Sequence, residues 1–274
     1  MEITSTQRHL PLSSIQALWS YRGFVVANAR REVVGRYTGS ILGSTWNLVH
    51  PLVSVLIYTL VFTEVMRARL PGVDDTLAYG VFICAGILMW GLFAEIANRM
   101  TNVFVENANL IKKASFPRIC LPATVALSAI ANYALLLTLV CAFLVVTGRF
   151  PGWPVLWIVP LTLLTLGTAI GLGMTAGVLQ VFFRDIGSII SIGLQLWFWL
   201  TPIVYPLQAV PEGIRQAIAF NPLAGLARAY QDVFLFGSAP RWSEVVPAAA
   251  LAIATLALAL VLYRRHAAEL ADEL

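Results

Sequence analysis

Apolar residues in this chain come in long runs separated by short polar stretches. A helix needs roughly 20 mostly apolar residues to cross about 30 Å of hydrocarbon. Six stretches reach that length, at about 46–66, 78–98, 122–147, 154–181, 186–205 and 243–263. Strands of a membrane barrel would instead be alternating segments of roughly ten residues. The pattern therefore predicts an all-α integral membrane protein. Six transmembrane helices fill 46–263, after an N-terminal region over 1–45 and before a tail over 264–274. Residues 1–45 hold no long apolar run, so no cleavable signal peptide is expected.

The segments between the runs have their own patterns. Over 14–34, Ile15, Leu18, Tyr21, Val25 and Val26 can share one helical face, with Arg22, Arg30 and Arg31 elsewhere. Such an N-terminal amphipathic helix lies in the membrane interface. Gly35, Gly39 and Gly43 are spaced by four, as are Gly167 and Gly171, and Gly173 and Gly177. Small residues at that spacing let helices approach closely, within one subunit or between two. In the stretch 99–121, Pro117 and Pro122 limit any helix. A short helix near 101–114 followed by a break at Phe116-Pro117 is expected there. The stretch 206–242 is largely apolar, yet Pro206, Pro211, Pro222, Gly225, Arg215, Arg228 and Asp232 interrupt it. Two re-entrant half-helices on the outer side, between spans five and six, would fit, because irregular backbone survives at membrane depth where protein buries it. A hairpin lying on the surface is the alternative.

Composition agrees with the runs. The hydrophobic share is 59%, the charged share 12% and the mean hydropathy +0.79. These values exclude an ordinary soluble enzyme, a disordered chain and a collagen-like one. A net charge of +4 is too mild to argue for nucleic acid. Its distribution says more. With six spans, twelve of the 18 Arg and Lys fall on the side of the two termini and six on the other. The positive-inside bias then puts both termini in the cytoplasm. Trp153, Trp157 and Trp242 fall at predicted outer ends, and Trp46 and Tyr263 at inner ends, where amphipathic rings prefer the headgroup level. Cys84, Cys120 and Cys141 have no metal-type spacing and read as small buried hydrophobes.

The motifs of common catalysts are missing. Gly is never followed by Lys, so the phosphate-binding loop G-x-x-x-x-G-K-[ST] is absent, as are H-E-x-x-H and G-x-S-x-G. His9, His50 and His266 are far apart in sequence, and Asp74 and Asp75 fall in a short outer loop. Glu64 and Glu95 lie near span ends rather than at mid-membrane, where a proton relay would need them. Energy for uphill transport must then come from another chain, and no cofactor is expected on this one.

Four segments carry a family resemblance. The first is Arg36-Tyr37-Thr38-Gly39-Ser40-Ile41-Leu42-Gly43, with Trp46 and Pro51. The second runs Asn107-Ala108-Asn109-Leu110-Ile111-Lys112-Lys113-Ala114-Ser115-Phe116-Pro117-Arg118, with Pro122. The third is Phe183-Arg184-Asp185-Ile186, continuing to Thr201-Pro202-Ile203-Val204-Tyr205. The fourth is Asn221-Pro222-Leu223, ending near Gly237. In this order, the chain resembles the permease subunit of ABC type-2 exporters in the polysaccharide branch, nearest to O-antigen export permeases. Capsule and teichoic-acid exporters share the plan. The resemblance implies a homodimer in the bacterial inner membrane, with two copies of a cytoplasmic ATPase that binds ATP and Mg. It also implies a lipid-linked polysaccharide as cargo. Contact with the ATPase would fall to the N-terminal helix, with Arg30 and Arg31, and to the 99–121 segment, with Asn109, Lys112, Lys113, Phe116, Pro117 and Arg118. Arg184 and Asp185 are assigned to the same coupling set.

A sugar polymer needs a path that tolerates its hydroxyls, since burying each without a partner costs about 1–3 kcal/mol. Aromatic rings can lie against the apolar C–H faces of sugars and let the chain slide. Candidates are Tyr58 and Phe62 on the first span, and Trp197, Phe198, Trp199 and Tyr205 on the fifth, with Phe198 and Tyr205 sharing a helical face. The competing functions are a small-molecule or lipid ABC exporter, a membrane-embedded enzyme on lipid-linked sugars, and a channel or scaffold without energy coupling.

Overall fold

The computed structural model describes residues 16, 18–35, 76–112, 117–266, 269–271 and 273–274, with scattered positions between 45 and 61. Most of the first predicted span, including Tyr58 and Phe62, lies outside the described residues, as do Lys113 and Phe116. The described residues are helical, with no strand among them.

Among the described residues, nine α-helices follow in order: α1 (Arg22–Gly35), α2 (Thr76–Glu106), α3 (Ala108–Ile111), α4 (Cys120–Val146), α5 (Ile158–Phe182), α6 (Ile186–Leu200), α7 (Glu212–Ala219), α8 (Pro222–Phe236) and α9 (Trp242–His266). A 3₁₀ turn over Trp153–Trp157 leads into α5. Among the described residues, α2, α4, α5 with its 3₁₀ lead-in, and α9 are long and apolar enough to cross a membrane. The second, third, fourth and sixth predicted spans thus appear as helices with edges shifted by a few residues.

Helix α2 is the hub and packs against α4, α5, α6 and α8. In its most apolar stretch 61% is buried within the chain, against 22% in α4 and α9, so these two present most of their surface outward. The glycine pairs show what closes the bundle. A Cβ on Gly171 would overlap Thr255 and come within 2.6 Å of the Leu256 amide on α9. On another side of the same helix, a Cβ on Gly173 would sit 2.7 Å from Met100 Cβ on α2, and one on Gly177 would overlap the Met100 carbonyl. The two pairs therefore serve contacts within this chain, wedging α5 between α9 and α2.

Two expectations need correction. Helix α2 runs unbroken to Glu106, and among the described residues only the four-residue α3 follows before Lys112, so 101–112 does not form a separate helix. Nothing between Leu92 and Glu106 breaks a helix, as that stretch has neither Gly nor Pro. At 31 residues, α2 is about 46 Å long and exceeds the hydrocarbon thickness. The fifth run, in contrast, is helical only over its 15 residues from Ile186 to Leu200, about 22 Å. Pro202 disfavours helical geometry at the residue before it, and Thr201 is extended, with ψ 131°.

The segment from Thr201 to Val204 is buried without regular structure. Its carbonyls are served by side chains: Tyr79 Oη donates to Val204 O at 2.8 Å, and Gln231 Nε2 to Pro202 O at 3.0 Å. A Cβ on Gly86 would meet Ile203 Cγ2 at 2.9 Å, so that glycine lets the segment lie directly on α2.

The 206–242 stretch forms two helices of different character. Of α7, only Ile218 is buried. Helix α8 buries Leu223, Leu226, Tyr230, Val233 and Phe234 and packs on α2, α5 and α9. The fully buried Tyr230 hydroxyl meets those of Thr162 (3.0 Å), Thr165 (3.4 Å) and Tyr133 (3.4 Å), which ties α8 to α5 and α4. The ends of α8 follow capping chemistry: Asn221 is the N-cap, Pro222 opens the first turn, and Gly237 closes the helix with φ +57°.

Candidate functional site

The helix ends gather at two poles. At one, Phe104 stacks on Tyr263 at 6.3 Å and Phe182 meets His266 at 5.2 Å. This pole carries Arg118, Arg184, Arg264 and Arg265, along with α3. At the other, Trp157 packs edge-on to Trp242 at 5.6 Å and near Trp153 at 6.5 Å, beside the 201–210 segment and the start of α9. The Trp residues assigned from sequence to one interface thus do form one cluster.

Helix α6 is largely uncovered among the described residues, with Leu194 its one buried residue. At the 3.6-residue period, its uncovered surface divides into two stripes. One is aliphatic, with Ile189, Ile192, Leu196 and Leu200. The other carries Ser188, Ser191 and Gln195 and ends at Trp199, all exposed. Ser191 Oγ donates to Asn98 Oδ1 on α2 at 3.1 Å. Among the described residues, the side chains of Ser188 and Gln195 have no hydrogen-bond partner. Below the stripe, a cavity of about 410 Å³ is lined by Asn102, Gln180, Arg184, Ser188 and Ser191. Gln180 shapes it: its Nε2 donates to Arg184 O at 3.1 Å, and its Oε1 accepts from the Gly187 amide.

The predicted aromatic set is divided by the structure. Trp199 is exposed beside the polar stripe. Phe198 is half-buried and packs edge-on to Trp90 at 5.7 Å. Trp197 is committed to structure, with its ring edge-on to Phe93 at 5.5 Å and its Nε1 donating to Asn221 Oδ1 at 2.9 Å. Tyr205 does not share a helical face with Phe198, because α6 ends at Leu200; its hydroxyl turns back to donate to Trp199 O at 2.7 Å.

Asn221 joins α6 to α8. Its Oδ1 also accepts from Leu223 N at 3.0 Å, and its Nδ2 donates to Leu200 O (3.0 Å) and Thr201 Oγ1 (2.9 Å). Asn221→Ala removes the helix cap and strands the indole donor. The expected loss is about 2–3 kcal/mol, to be read as a lower unfolding temperature of the purified protein in detergent.

The predicted coupling residues that the structure describes lie at or near the first pole; Lys113 and Phe116 are outside the described residues. Arg30, Arg31, Asn109, Lys112, Arg184 and Asp185 are exposed, and Pro117 and Arg118 are half-buried. Helix α1 packs on α4 through Val25 and Ala29, whereas Tyr21 and Val26, expected on the same face, are exposed. A group that sequence reading did not single out holds α1 in place. Glu32 forms an ion pair with Arg99 Nη2, and Arg99 Nη1 bonds Ser128 Oγ (2.8 Å) and Glu95 Oε1 (3.2 Å). Ser128 Oγ donates to Glu32 Oε2 at 2.8 Å, and Asn132 Nδ2 to Glu95 Oε1 at 3.2 Å. The spacing of Glu95 and Arg99 is a readable helical pair; that of Glu32 and Ser128 carries no local signal.

The family model described as ABC-2 type transporter matches residues 24–235, from α1 through nearly all of α8. This chain belongs to the ABC-2 type transporter family. Among relatives of the transporter, an O-antigen export system permease protein of Myxococcus xanthus is 29% identical, over 95% of this chain and 98% of its own length. One of the same name from Klebsiella pneumoniae is 31% identical over 78% of this chain and 81% of its own. A polysialic acid transport protein of Escherichia coli is 22% identical over 85% and 90%. In this ABC-2 transporter the match includes both the open helix α6 and the α1 latch.

Proposed function

We propose that the chain is the permease subunit of an ATP-driven exporter that moves lipid-linked polysaccharide, of the O-antigen type, from the cytoplasmic to the outer face of the inner membrane. It works as a homodimer with two copies of a cytoplasmic ATPase. The Arg- and Lys-rich pole faces the cytoplasm, and α1, α3 and the turn at Arg184-Asp185 meet the ATPase there. A first span before α2 and the short α6 complete six crossings, and α7 and α8 re-enter from the outer side.

The observation that carries this reading is the polar stripe on α6. Among the described residues, Ser188 and Gln195 stand unpartnered on a helix within an apolar bundle. Facing lipid, such groups would cost several kcal/mol each, so polar side chains at this depth face a water-filled passage. Hydroxyl and amide groups leading to an exposed Trp suit a glycan, which needs hydrogen-bond partners and a flat apolar surface. The names of the relatives support the same cargo.

Gln195→Leu combined with Ser188→Ala tests the passage. Export should fall roughly tenfold, the factor for one sugar hydroxyl left without a partner, and lipid-linked glycan should accumulate on the cytoplasmic side. Co-purification with the ATPase should persist. Unchanged export would remove α6 from the path. Loss of a capsular polymer with intact O-antigen, on deletion of the chain, would reassign the cargo.

A further inference from the structure

A second cavity lies at the opposite pole, away from the polar stripe of α6. Its volume is about 280 Å³, and its walls come from α2, the 202–208 segment, α7 and α8. Phe82, Gln208, Arg215, Arg228, Asp232 and Phe236 are among its lining residues.

The walls are braced. Arg215 Nη2 donates to Val210 O at 3.1 Å, which holds the loop above the cavity, and Arg215 Nη1 pairs with Glu212 at 3.4 Å. Gln231 Nε2 fastens Pro202 from below. Arg228 Nη1 is taken by Glu244 at 2.9 Å. Glu244 is shared, since Arg241 Nη1 also pairs with it at 3.2 Å, and the buried Nε atoms of Arg215 and Arg228 have no hydrogen-bond partner among the described residues. Asp232 lines the same cavity; its half-buried carboxylate accepts no hydrogen bond among the described residues, although Arg241 and Arg228 lie near enough to act on its charge. The Gln208 amide is exposed and likewise without a side-chain partner there.

These features restrict the occupant. A phosphate would bring its negative charge against the half-buried Asp232 carboxylate in the same wall. A purely apolar group would leave the Asp232 carboxylate without a donor. At about 30 Å³ per water, the cavity holds roughly nine waters, and one pyranose ring needs less. A pyranose brings vicinal hydroxyls for the carboxylate and the amide, and C–H faces for Phe82 and Phe236. We propose that this cavity is a subsite for one uncharged sugar ring at the outer end of the passage, with Asp232 and Gln208 taking its hydroxyls. The subsite rests on the reading of the chain as a polysaccharide permease and adds a contact made as the glycan leaves. Because Arg215 and Gln231 hold the walls before any ligand arrives, little ordering accompanies binding.

The test uses the permease–ATPase complex in nanodiscs, probed by saturation-transfer NMR with the methyl pyranosides of glucose, mannose and galactose. At least one should receive saturation in the parent complex. Asp232→Asn should weaken its binding about tenfold, as expected for removing a charged acceptor. Gln208→Ala, on the exposed loop, should weaken it in the same direction without disturbing the bundle. No saturation in the parent complex, or equal saturation in both variants, overturns the subsite. Displacement of the signal by ethanolamine, with no dependence on sugar, overturns it in favour of a lipid headgroup. If deleting the chain leaves surface polysaccharide intact, the permease reading itself fails. If deletion removes the polymer but no pyranoside binds, the subsite alone fails.

Discussion

Gly171→Ala, Gly177→Ala and Gly225→Ala are each expected to cost the transporter its stable fold. In an unconstrained helix, Gly→Ala is worth up to about 1 kcal/mol of stabilisation. Here the added methyl has no room. On Gly171 it would overlap Thr255, on Gly177 the Met100 carbonyl, and on Gly225 the Glu244 carbonyl of α9. The obstacles include backbone atoms, so a rotamer change cannot relieve them and the helices must separate. Overpacking costs about 1–3 kcal/mol when side chains can adjust, and a backbone collision belongs at or above the top of that range. The measurement is the monodisperse fraction and unfolding temperature in detergent. Gly213→Ala is the control, since nothing lies within 4 Å of a Cβ there; it should be neutral or slightly stabilising. Equal behaviour of Gly213→Ala and Gly171→Ala would show that helix contact is not what these glycines provide.

Arg99→Ala is the second large effect. It leaves Glu32 and Glu95 facing each other without their shared cation. Stranding a buried charge costs about 3–5 kcal/mol. These side chains are 23–33% exposed, so about 2–3 kcal/mol is expected. The loss should be local: α1 detaches from α4, and hydrogen exchange over 22–35 speeds up while α5 and α9 stay protected. Arg99→Lys should rescue only in part, because one ammonium cannot fork to Glu32, Ser128 and Glu95 at once. Adding Glu32→Gln to Arg99→Ala should recover part of the stability, since Glu95 then no longer faces a second carboxylate. A double variant as unstable as the sum of the two singles would disprove the network. If α1 carries ATPase movement into the bundle, Arg99→Ala should also leave ATP hydrolysis running without export.

The limits of local pattern are visible in particular residues. The apolar runs located α2, α4, α5 and α9, whereas α8, capped by Asn221 and Gly237, lies in a stretch read only as interrupted by Pro222 and Gly225. Thr201-Pro202 held a readable stop for α6 that the length of the apolar run concealed. The stripe of Ser188, Ser191 and Gln195 is present in the sequence too, at spacings of three and four, but three isolated polar residues in an apolar run do not by themselves mark an uncovered face. Trp197 and Tyr205 looked equivalent to Trp199 in sequence; their hydrogen bonds to Asn221 and to Trp199 O separate them.

What this sequence determined by itself is four helices of membrane-spanning length, because transfer of a run into hydrocarbon depends on residues a few positions apart. The tertiary structure alone decided that one glycine pair meets α9 and the other α2, that Arg99 reaches across 67 residues to Glu32, and that Asp232 opens into a cavity beside Gln208. Each of these is a contact between segments distant along the chain, whose free energy exists only once both are packed.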